Sequence, residues 1–378
     1  MEMEKRQVSI TRRTVESPYM EWAKTKSHAR FNLATSGLVH YPMRALGARL
    51  DDVELSGPSW YGYAPLQEAL ARKAGVVSDC VVAAVGTSFA NHLAMASLIE
   101  PGDEVLIEQP TYDPLLAVAG YLGARIRRFP RRLEDGFAVD PSAVERNLTP
   151  LTRLIVITNL HNPSSAPVGE STLRQVGEMA RRSNARVLMD EVYLEAVSVQ
   201  APHLAVRSAF HLGSEFVVTS SLTKAYGLSG LRCGWILADP ALARKIWRLN
   251  DLFIVIPAHP AEQLSVIALD HLDTIAGCAR SLLAANRLLL DRFLDARDDL
   301  DCARPEFGTV VFPRLKSGKV DPLCDWLRER YDTSVVPGRF FEMPDHFRLG
   351  IGCETDMLAG GLERLSAALD TLGRRQPV

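Results

Sequence analysis

The segment SSLTKAYGLSGLRCGW at residues 220–235 combines a lysine with hydroxyl groups, glycines and an arginine. Lys224 is isolated in the chain, since no other lysine lies between Lys73 and Lys245. A lysine amine becomes nucleophilic when burial or a neighbouring cation lowers its pKa, and it then forms a Schiff base with an aldehyde. Ser221 and Arg232 carry groups that hold phosphate. Taken alone, however, the segment fits a surface lysine in a glycine-rich turn better than a reactive one.

Other polar groups follow apolar runs of strand length. Thr87 and Ser88 follow CVVAAV, Tyr112 follows EVLIEQ, and Asn162 follows RLIVIT. Asp190 is the last residue of ARVLMD, and Tyr193 lies three residues after it. Each has an ordinary explanation, namely helix capping for the acid and hydroxyls, a turn for the amide and packing for Tyr112. The functional alternative is one pocket, in which a helix start holds phosphate, a tyrosine covers an aromatic ligand and the acid meets a cation.

The elements that would position these residues are predicted from periodicity. From about residue 65 to 240, strand-length apolar runs alternate with helical patterns such as 170–183, which indicates βαβ units and the α/β class. The predicted strands are 80–85, 104–109, 124–129, 153–158, 185–190, 216–220 and 232–238. Ligands of such sheets bind beyond the carboxyl ends of the strands, where the polar groups above are located.

The rest of the chain lacks this alternation of strand and helix patterns. Residues 261–296 form a long helical pattern that we interpret as a connector. Beyond it, GTVVFPRL, TSVVPG and FRLGIG are predicted strands, and 321–331 and 355–372 are predicted helices. We therefore predict a large domain over 49–260 and a smaller α+β domain over 261–378, against which residues 1–48 wrap.

Composition excludes several classes of function. The 378 residues carry a net charge of −2 without long runs of like charge, which argues against a nucleic-acid or membrane partner. The densest basic cluster, Arg125 to Arg132, is predicted to be a solvated strand edge and loop. The six cysteines are scattered without metal-ligand spacing, so no metal is predicted. With no signal-peptide core and no run of eighteen apolar residues, a cytoplasmic protein is expected. Phosphate-loop, HExxH, GxSxG and GxGxxG motifs are absent.

The polar strand ends, with SLTKAYGLSGLRCG and the upstream DEVY, together resemble the class I and II aminotransferases. These are fold-type I enzymes that use pyridoxal 5′-phosphate (PLP), and the resemblance runs from about Tyr61 to Gly352. It implies an aspartate aminotransferase-like fold, in which helices flank a mostly parallel seven-stranded sheet and a smaller α+β domain is attached. It also implies a homodimer.

The resemblance also implies roles for individual residues. Lys224 would form the Schiff base and move the proton between the substrate's Cα and the cofactor, while Asp190 would pair with the pyridine nitrogen. The other implied cofactor contacts are Asn162 and Tyr193 at the phenolic oxygen, Tyr112 on the ring, and Thr87, Ser88, Ser221 and Arg232 at the phosphate. Arg348 in FRLGIG would bind the substrate's α-carboxylate, with Gly37 and Asn162 beside it. Tyr61, or else Trp60 or Tyr63, would reach the phosphate of the neighbouring subunit.

The leading functional expectation is ping-pong transfer of an amino group from an amino acid to a 2-oxo acid. The same residues serve other PLP chemistry, including C–S β-lysis, γ-substitution, cyclisation of the aminocyclopropane-carboxylate synthase type and specialised amino acid synthesis. An aminotransferase-like transcriptional regulator and a NAD-dependent dehydrogenase are weaker alternatives. The family's NPxNPTG motif appears here as NLHNPSSAPVG, and no second arginine is evident for a substrate's side-chain carboxylate.

Overall fold

The computed structural model describes residues 15–375. The predicted segments 1–48 and 261–378 therefore include residues, 1–14 and 376–378, that lie outside the described part.

Helices and short strands account for most of the described chain. The helices are α1 Pro18–Thr25, α2 Met43–Leu46, α3 Ala64–Ala74, α4 Gly86–Leu98, α5 Asp113–Tyr121, α6 Pro141–Asn147, α7 Glu170–Arg182, α8 Glu195–Gln200, α9 Pro240–Asn250, α10 His259–Asp270, α11 Leu272–Asp295, α12 Val320–Tyr331 and α13 Thr355–Arg375. The strands are β1 Phe31–Asn32, β2 Val81–Val85, β3 Glu104–Gln109, β4 Arg125–Pro130, β5 Thr152–Thr158, β6 Arg186–Asp190, β7 Phe216–Ser221, β8 Cys233–Leu237, β9 Leu300–Asp301, β10 Val310–Val311, β11 Arg314–Leu315, β12 Thr333–Ser334, β13 Val336–Pro337 and β14 Phe347–Gly350.

A seven-stranded sheet in the order β2-β8-β7-β6-β5-β3-β4 forms the larger part of the fold. Its central strands are continuous runs of Val, Ile and Leu, as expected where helices cover both faces. Only β8 runs antiparallel to its neighbours β2 and β7. The start of β8 therefore lies at the same edge as the carboxyl ends of the other strands. The α/β prediction with a mostly parallel seven-stranded sheet is confirmed.

The chain after α9 differs in detail from the sequence expectation. The helical pattern 261–296 is two helices, α10 and α11, because the chain leaves helical geometry at His271, whose ring Nδ1 bonds the carbonyl of Ile267. The predicted strand 308–315 is likewise interrupted at Pro313, which has no backbone N–H to donate to a sheet. The result is two short strands, β10 and β11.

The first described residues connect both parts of the molecule. Strand β1 pairs in parallel with β12, with Phe31 opposite Thr333. Helix α1 is capped by Ser17 and packs on α5 beside the large sheet. The N-terminal segment therefore contacts the large sheet's helices as well as the C-terminal strands.

The prediction of a solvated basic cluster is wrong for Arg131. Its side chain is fully buried and its Nη1 lies 2.7 Å from Glu108 Oε2, while its Nε donates to the carbonyl of Phe137. The charge is tolerated in the interior because the guanidinium meets a carboxylate and carbonyl oxygens. No helix within residues 15–375 is both long and apolar enough to cross a membrane.

Candidate active site

Nine of the predicted site residues line one cavity of about 210 Å³ at the carboxyl edge of the large sheet. They are Thr87, Ser88, Tyr112, Asn162, Asp190, Tyr193, Ser221, Lys224 and Arg232. The sheet order explains this convergence, because the loops after β2, β3, β5, β6 and β7 all leave at this edge and Arg232 directly precedes the antiparallel β8.

One end of the cavity is built to receive an anion. Helix α4 begins at Gly86, whose φ of +75° suits glycine, and a Cβ added there would lie 2.2 Å from Arg232 Nη2. The free N–H groups of the helix start and the guanidinium thus face the same space. The hydroxyl Oγ1 of Thr87 is buried without a hydrogen-bond partner among the described residues. An unpaired buried hydroxyl beside a cation at a helix start fits a phosphate group.

Asp190 supplies a buried acid to the same cavity. Its carboxylate accepts hydrogen bonds from Asn91 Nδ2 at 2.8 Å and from the N–H of Val192 at 3.1 Å. Burial raises the pKa of Asp190 to about 6, although these two hydrogen bonds act in the opposite direction. The interpretation of Asp190 as a helix cap fails, since the next α-helix begins only at Glu195. Since no lysine or arginine of the described residues 15–371 forms an ion pair with this carboxylate, it fits a positively charged ring nitrogen.

Sequence reasoning missed Asn91, which fixes the orientation of this acid. Asn91 Oδ1 in turn accepts a hydrogen bond from Thr219 Oγ1 at 2.6 Å. The residue lies one helical turn after Thr87 in α4, so the spacing of four residues places both on one helix face. This four-residue spacing from Thr87 is the sequence feature that could have identified Asn91.

The amine of Lys224 reaches into the same cavity and donates a hydrogen bond to Ser36 Oγ at 3.1 Å. Removal from water lowers the pKa of Lys224, and the nearby guanidinium groups of Arg348 and Arg232 act in the same direction. A lowered pKa increases the fraction of neutral, nucleophilic amine. The alternative of an ordinary surface lysine is therefore not supported, and Ser36 is a second residue that sequence reasoning did not identify.

Arg348 lies beneath the amide of Asn162 with its side chain fully buried. Nη1 donates to Asn162 Oδ1 at 3.0 Å, and Nη2 donates to the Tyr19 hydroxyl at 2.8 Å and the carbonyl of Ala34 at 3.1 Å. The Nε atom has no partner among the described residues. A buried guanidinium without a carboxylate partner fits a substrate carboxylate. Tyr19 is the third residue missed from sequence.

The altered motif NLHNPSSAPVG forms a compact, buried turn. His161 Nε2 lies 3.0 Å from the carbonyl of Pro110, and Nδ1 lies 2.6 Å from Ser164 Oγ. Burial lowers the pKa of His161 well below its usual value, so the ring is neutral. Since a carbonyl only accepts, Nε2 carries the proton and Ser164 donates to Nδ1. This histidine links the loop of Asn162 to the loop that leads into Tyr112.

Two predicted residues occupy other places. Gly37 lies against the lysine, because a Cβ there would approach Lys224 Cδ to 3.4 Å. Tyr61 lies away from the cavity, with its ring against Trp247 and its hydroxyl 3.4 Å from Asp251. Trp60 is 80% exposed, and the ring of Tyr63 packs edge-on against His259. The chain therefore does not bring Tyr61 to its own site, and a contact with a neighbouring subunit stays a prediction.

The fold and this site define an α/β enzyme scaffold with a half-buried lysine, a buried acid and an anion cradle. The sequence profile of the family "Aminotransferase class I and II" matches residues 48–365, and the chain belongs to this family, which is PLP-dependent. It is 31% identical to capreomycidine synthase of Streptomyces vinaceus over 95% of both chains. It is 27% identical to an arginine–pyruvate transaminase of Pseudomonas aeruginosa over 80% of this chain and 79% of the relative.

A solved structure agrees with this assignment. The PLP-dependent aminotransferase from Streptococcus suis superposes with a TM-score of 0.86 at 26% identity, covering 93% of this chain and 97% of the other. The predicted family and its fold are thus confirmed.

Proposed function

We propose that this protein is a PLP-dependent enzyme that acts on an amino acid, with aminotransfer to a 2-oxo acid as its reaction. The observation that carries the proposal is one cavity lined by Lys224, Asp190 and Arg232, whose wall residue Asn162 accepts a hydrogen bond from the buried Arg348. Family membership supports the cofactor.

The residues present fit the cofactor at each of its polar groups. Thr87, Ser88, Ser221 and Arg232 would hold the phosphate, and the otherwise unpaired Thr87 hydroxyl would gain a partner. Asp190 would keep the ring nitrogen protonated, and Tyr112 would cover the ring. Asn162 and Tyr193 would hydrogen-bond its phenolic oxygen. When bound, PLP supplies an electron sink for negative charge at the substrate's α-carbon.

The chain's own groups then perform binding and proton transfer. Arg348 binds the α-carboxylate through its free Nε edge, which orients the amino acid toward Lys224. With the cofactor bound, the amine of Lys224, whose pKa is lowered, would take the proton from Cα and would deliver it to the cofactor's C4′ carbon. Amino transfer follows from this delivery. Catalysis by a homodimer, with Tyr61 completing the phosphate site of the other subunit, belongs to the same proposal.

A second candidate reaction is favoured by the similarity to capreomycidine synthase over 95% of both chains. In this case Lys224 would remove the same Cα proton, but a substituent on Cβ or Cγ would leave before any proton is returned. C–S β-lysis, cyclisation of the aminocyclopropane-carboxylate synthase type and specialised amino acid synthesis all belong to this group. The geometry of Lys224, Asp190 and Arg348 suits both reactions.

Cofactor attachment is tested first. Borohydride treatment of the PLP-loaded protein is expected to fix PLP on the peptide that contains Lys224, as measured by mass spectrometry. Lys224→Ala should lose this label, whereas Lys319→Ala, at an exposed lysine, should retain it. Labelling at another lysine, or none, would contradict the proposal.

A panel of amino acids then separates the reactions. Aminotransfer gives one 2-oxo acid per active site until a second 2-oxo acid is added as acceptor. Elimination instead releases ammonia over many turnovers without an acceptor. Release of ammonia without an acceptor would contradict aminotransfer and support the second candidate reaction.

A further inference from the structure

A second and larger cavity begins where the first one ends. It has a volume of about 630 Å³, and Thr223 and Lys224 contribute to the walls of both cavities. Gly37 also lines it, at a place where the chain comes within contact distance of the lysine side chain. A side chain that extends from an α-carbon beside Lys224 therefore has this cavity available, and its volume exceeds what a short side chain fills.

The charges on the cavity wall are distributed unevenly. Among the residues that line it, Lys224 is the one lysine or arginine, and Glu354 is the one acid. Glu354 is exposed and directly precedes α13, on the strand-to-helix turn that follows Arg348. Within residues 15–371 its carboxylate makes no hydrogen bond or ion pair. An acidic substrate side chain would thus meet a like charge and no arginine.

The remaining wall suits the stem and head of a long cation. Tyr19 and Trp22 of α1 contribute two aromatic side chains, and Ser27 follows at the end of that helix. Aromatic faces attract ammonium and guanidinium groups as well as covering their methylene stems. The Ser27 hydroxyl donates to the carbonyl of Ala23, so its oxygen is still able to accept a hydrogen bond.

We propose that the substrate of this enzyme is an amino acid whose long side chain ends in a cation, and that Glu354 pairs with this cation over the Trp22 side of the larger cavity. This inference rests on the proposed function, since it assumes that an amino acid is held by Arg348 beside Lys224. In this proposal Glu354 determines which amino acid side chain is preferred, and it takes no part in proton transfer.

The first test compares matched substrates with the PLP-loaded enzyme. Arginine and ornithine carry the two kinds of cation, and citrulline and norleucine are neutral substrates of similar length. The wild type is expected to show a kcat/KM for one of the cations at least about fivefold above that for the neutral substrates. E354Q should reduce this ratio about fivefold or more while leaving the neutral substrates unchanged. E363Q, an exposed glutamate on α13, should behave as wild type.

Binding without turnover gives a second readout. The amine-free probe 5-guanidinopentanoate is expected to bind the PLP-loaded wild type more tightly than heptanoate in calorimetry, and E354Q should remove the difference. Equal binding of both probes, or an E354Q variant that loses only thermal stability, would overturn the inference and leave Glu354 as a charge at a helix start.

Failure of this inference is distinguishable from failure of the proposed function. Labelling at Lys224 and turnover of neutral amino acids, without preference for cations, refutes the inference alone. Absence of labelling at Lys224 together with no turnover of any amino acid refutes the proposed function.

Discussion

The hydroxyl of Tyr19 accepts a hydrogen bond from Nη2 of Arg348 at 2.8 Å, although the two residues are 329 positions apart. The N-terminal helix is thereby joined to the strand that carries the proposed carboxylate-binding group. The hydroxyl orients the buried guanidinium of Arg348, whose Nη1 donates to Oδ1 of Asn162. Tyr19 is consequently part of the wall against which we propose that a substrate is held.

Tyr19→Phe is expected to weaken amino acid binding more than chemistry. A hydrogen bond to a charged group contributes about 1.5–3 kcal/mol, so KM should rise about tenfold or more, with a smaller change in kcat. Steady-state kinetics of the PLP-loaded enzyme checks this result. Tyr331→Phe serves as control, because that ring packs on Trp326 and lines neither of the two cavities. An unchanged KM would show that Tyr19 does not orient Arg348.

Asp190→Asn should stabilise the cofactor-free protein near neutral pH. Because burial raises the Asp190 pKa from 3.8 to about 6, the folded state binds this proton more tightly than the unfolded state. Ionisation at higher pH therefore costs stability, which falls as pH rises from about 4 to 6. The variant avoids this cost, on the order of 2–3 kcal/mol at pH 7.5, and the advantage should vanish near pH 4.

Denaturant unfolding of the cofactor-free wild type and variant across this pH range measures the difference. Glu191, whose pKa burial raises to about 7, titrates nearby, and because the charge of Asp190 contributes to that raised pKa, the variant should also lower the pKa of Glu191. The same variant should bind PLP more weakly, since it has no negative charge for the ring nitrogen. If the variant were less stable than the wild type at pH 7.5, burial would not make ionisation of Asp190 unfavourable in the folded protein.

The strand ends were predictable because local patterns determine them. Continuous apolar runs mark parallel strands, and the rule that ligands bind beyond their carboxyl ends located Lys224, Asp190 and Asn162. Tyr19 and Ser36 were not recognised, and the bridging contact of His161 was not predicted, since their partners are distant in sequence or belong to another loop. Arg131 was misjudged for the same reason, because local sequence does not reveal that Glu108 faces it across the sheet.

Glu108→Gln should destabilise the protein strongly. The Glu108 carboxylate pairs with Arg131 at 2.7 Å and also accepts hydrogen bonds from the N–H and hydroxyl of Thr158, at the end of β5. Removing its charge leaves the buried guanidinium uncompensated, at a cost of about 3–5 kcal/mol. Chemical denaturation measures this cost. Glu104→Gln is a matched control at the other end of β3, where the acid accepts from threonine hydroxyls near a half-exposed arginine, and it should cost far less.

His161→Phe is expected to weaken both stability and cofactor binding. The ring of His161 is completely buried and joins Pro110, two residues before Tyr112, to Ser164, two residues after Asn162. Phenylalanine fills a similar volume but leaves the Pro110 carbonyl and the O–H donor of Ser164 without their partner, while the Ser164 oxygen still accepts from the N–H of Ala166. The loss should cost about 1–3 kcal/mol for each group left unpaired. Because the two loops carry proposed contacts on the ring and the phenolic oxygen, the affinity for PLP should fall as well.

Ser164→Ala separates these two effects. It removes the hydroxyl that donates to Nδ1 but keeps the contact of His161 with Pro110, so stability should fall less than in His161→Phe. PLP affinity, measured by fluorescence titration of the cofactor-free protein, should remain near that of the wild type. If Ser164→Ala instead lost as much affinity as His161→Phe, the turn itself rather than the bridge to Pro110 would position Asn162 and Tyr112.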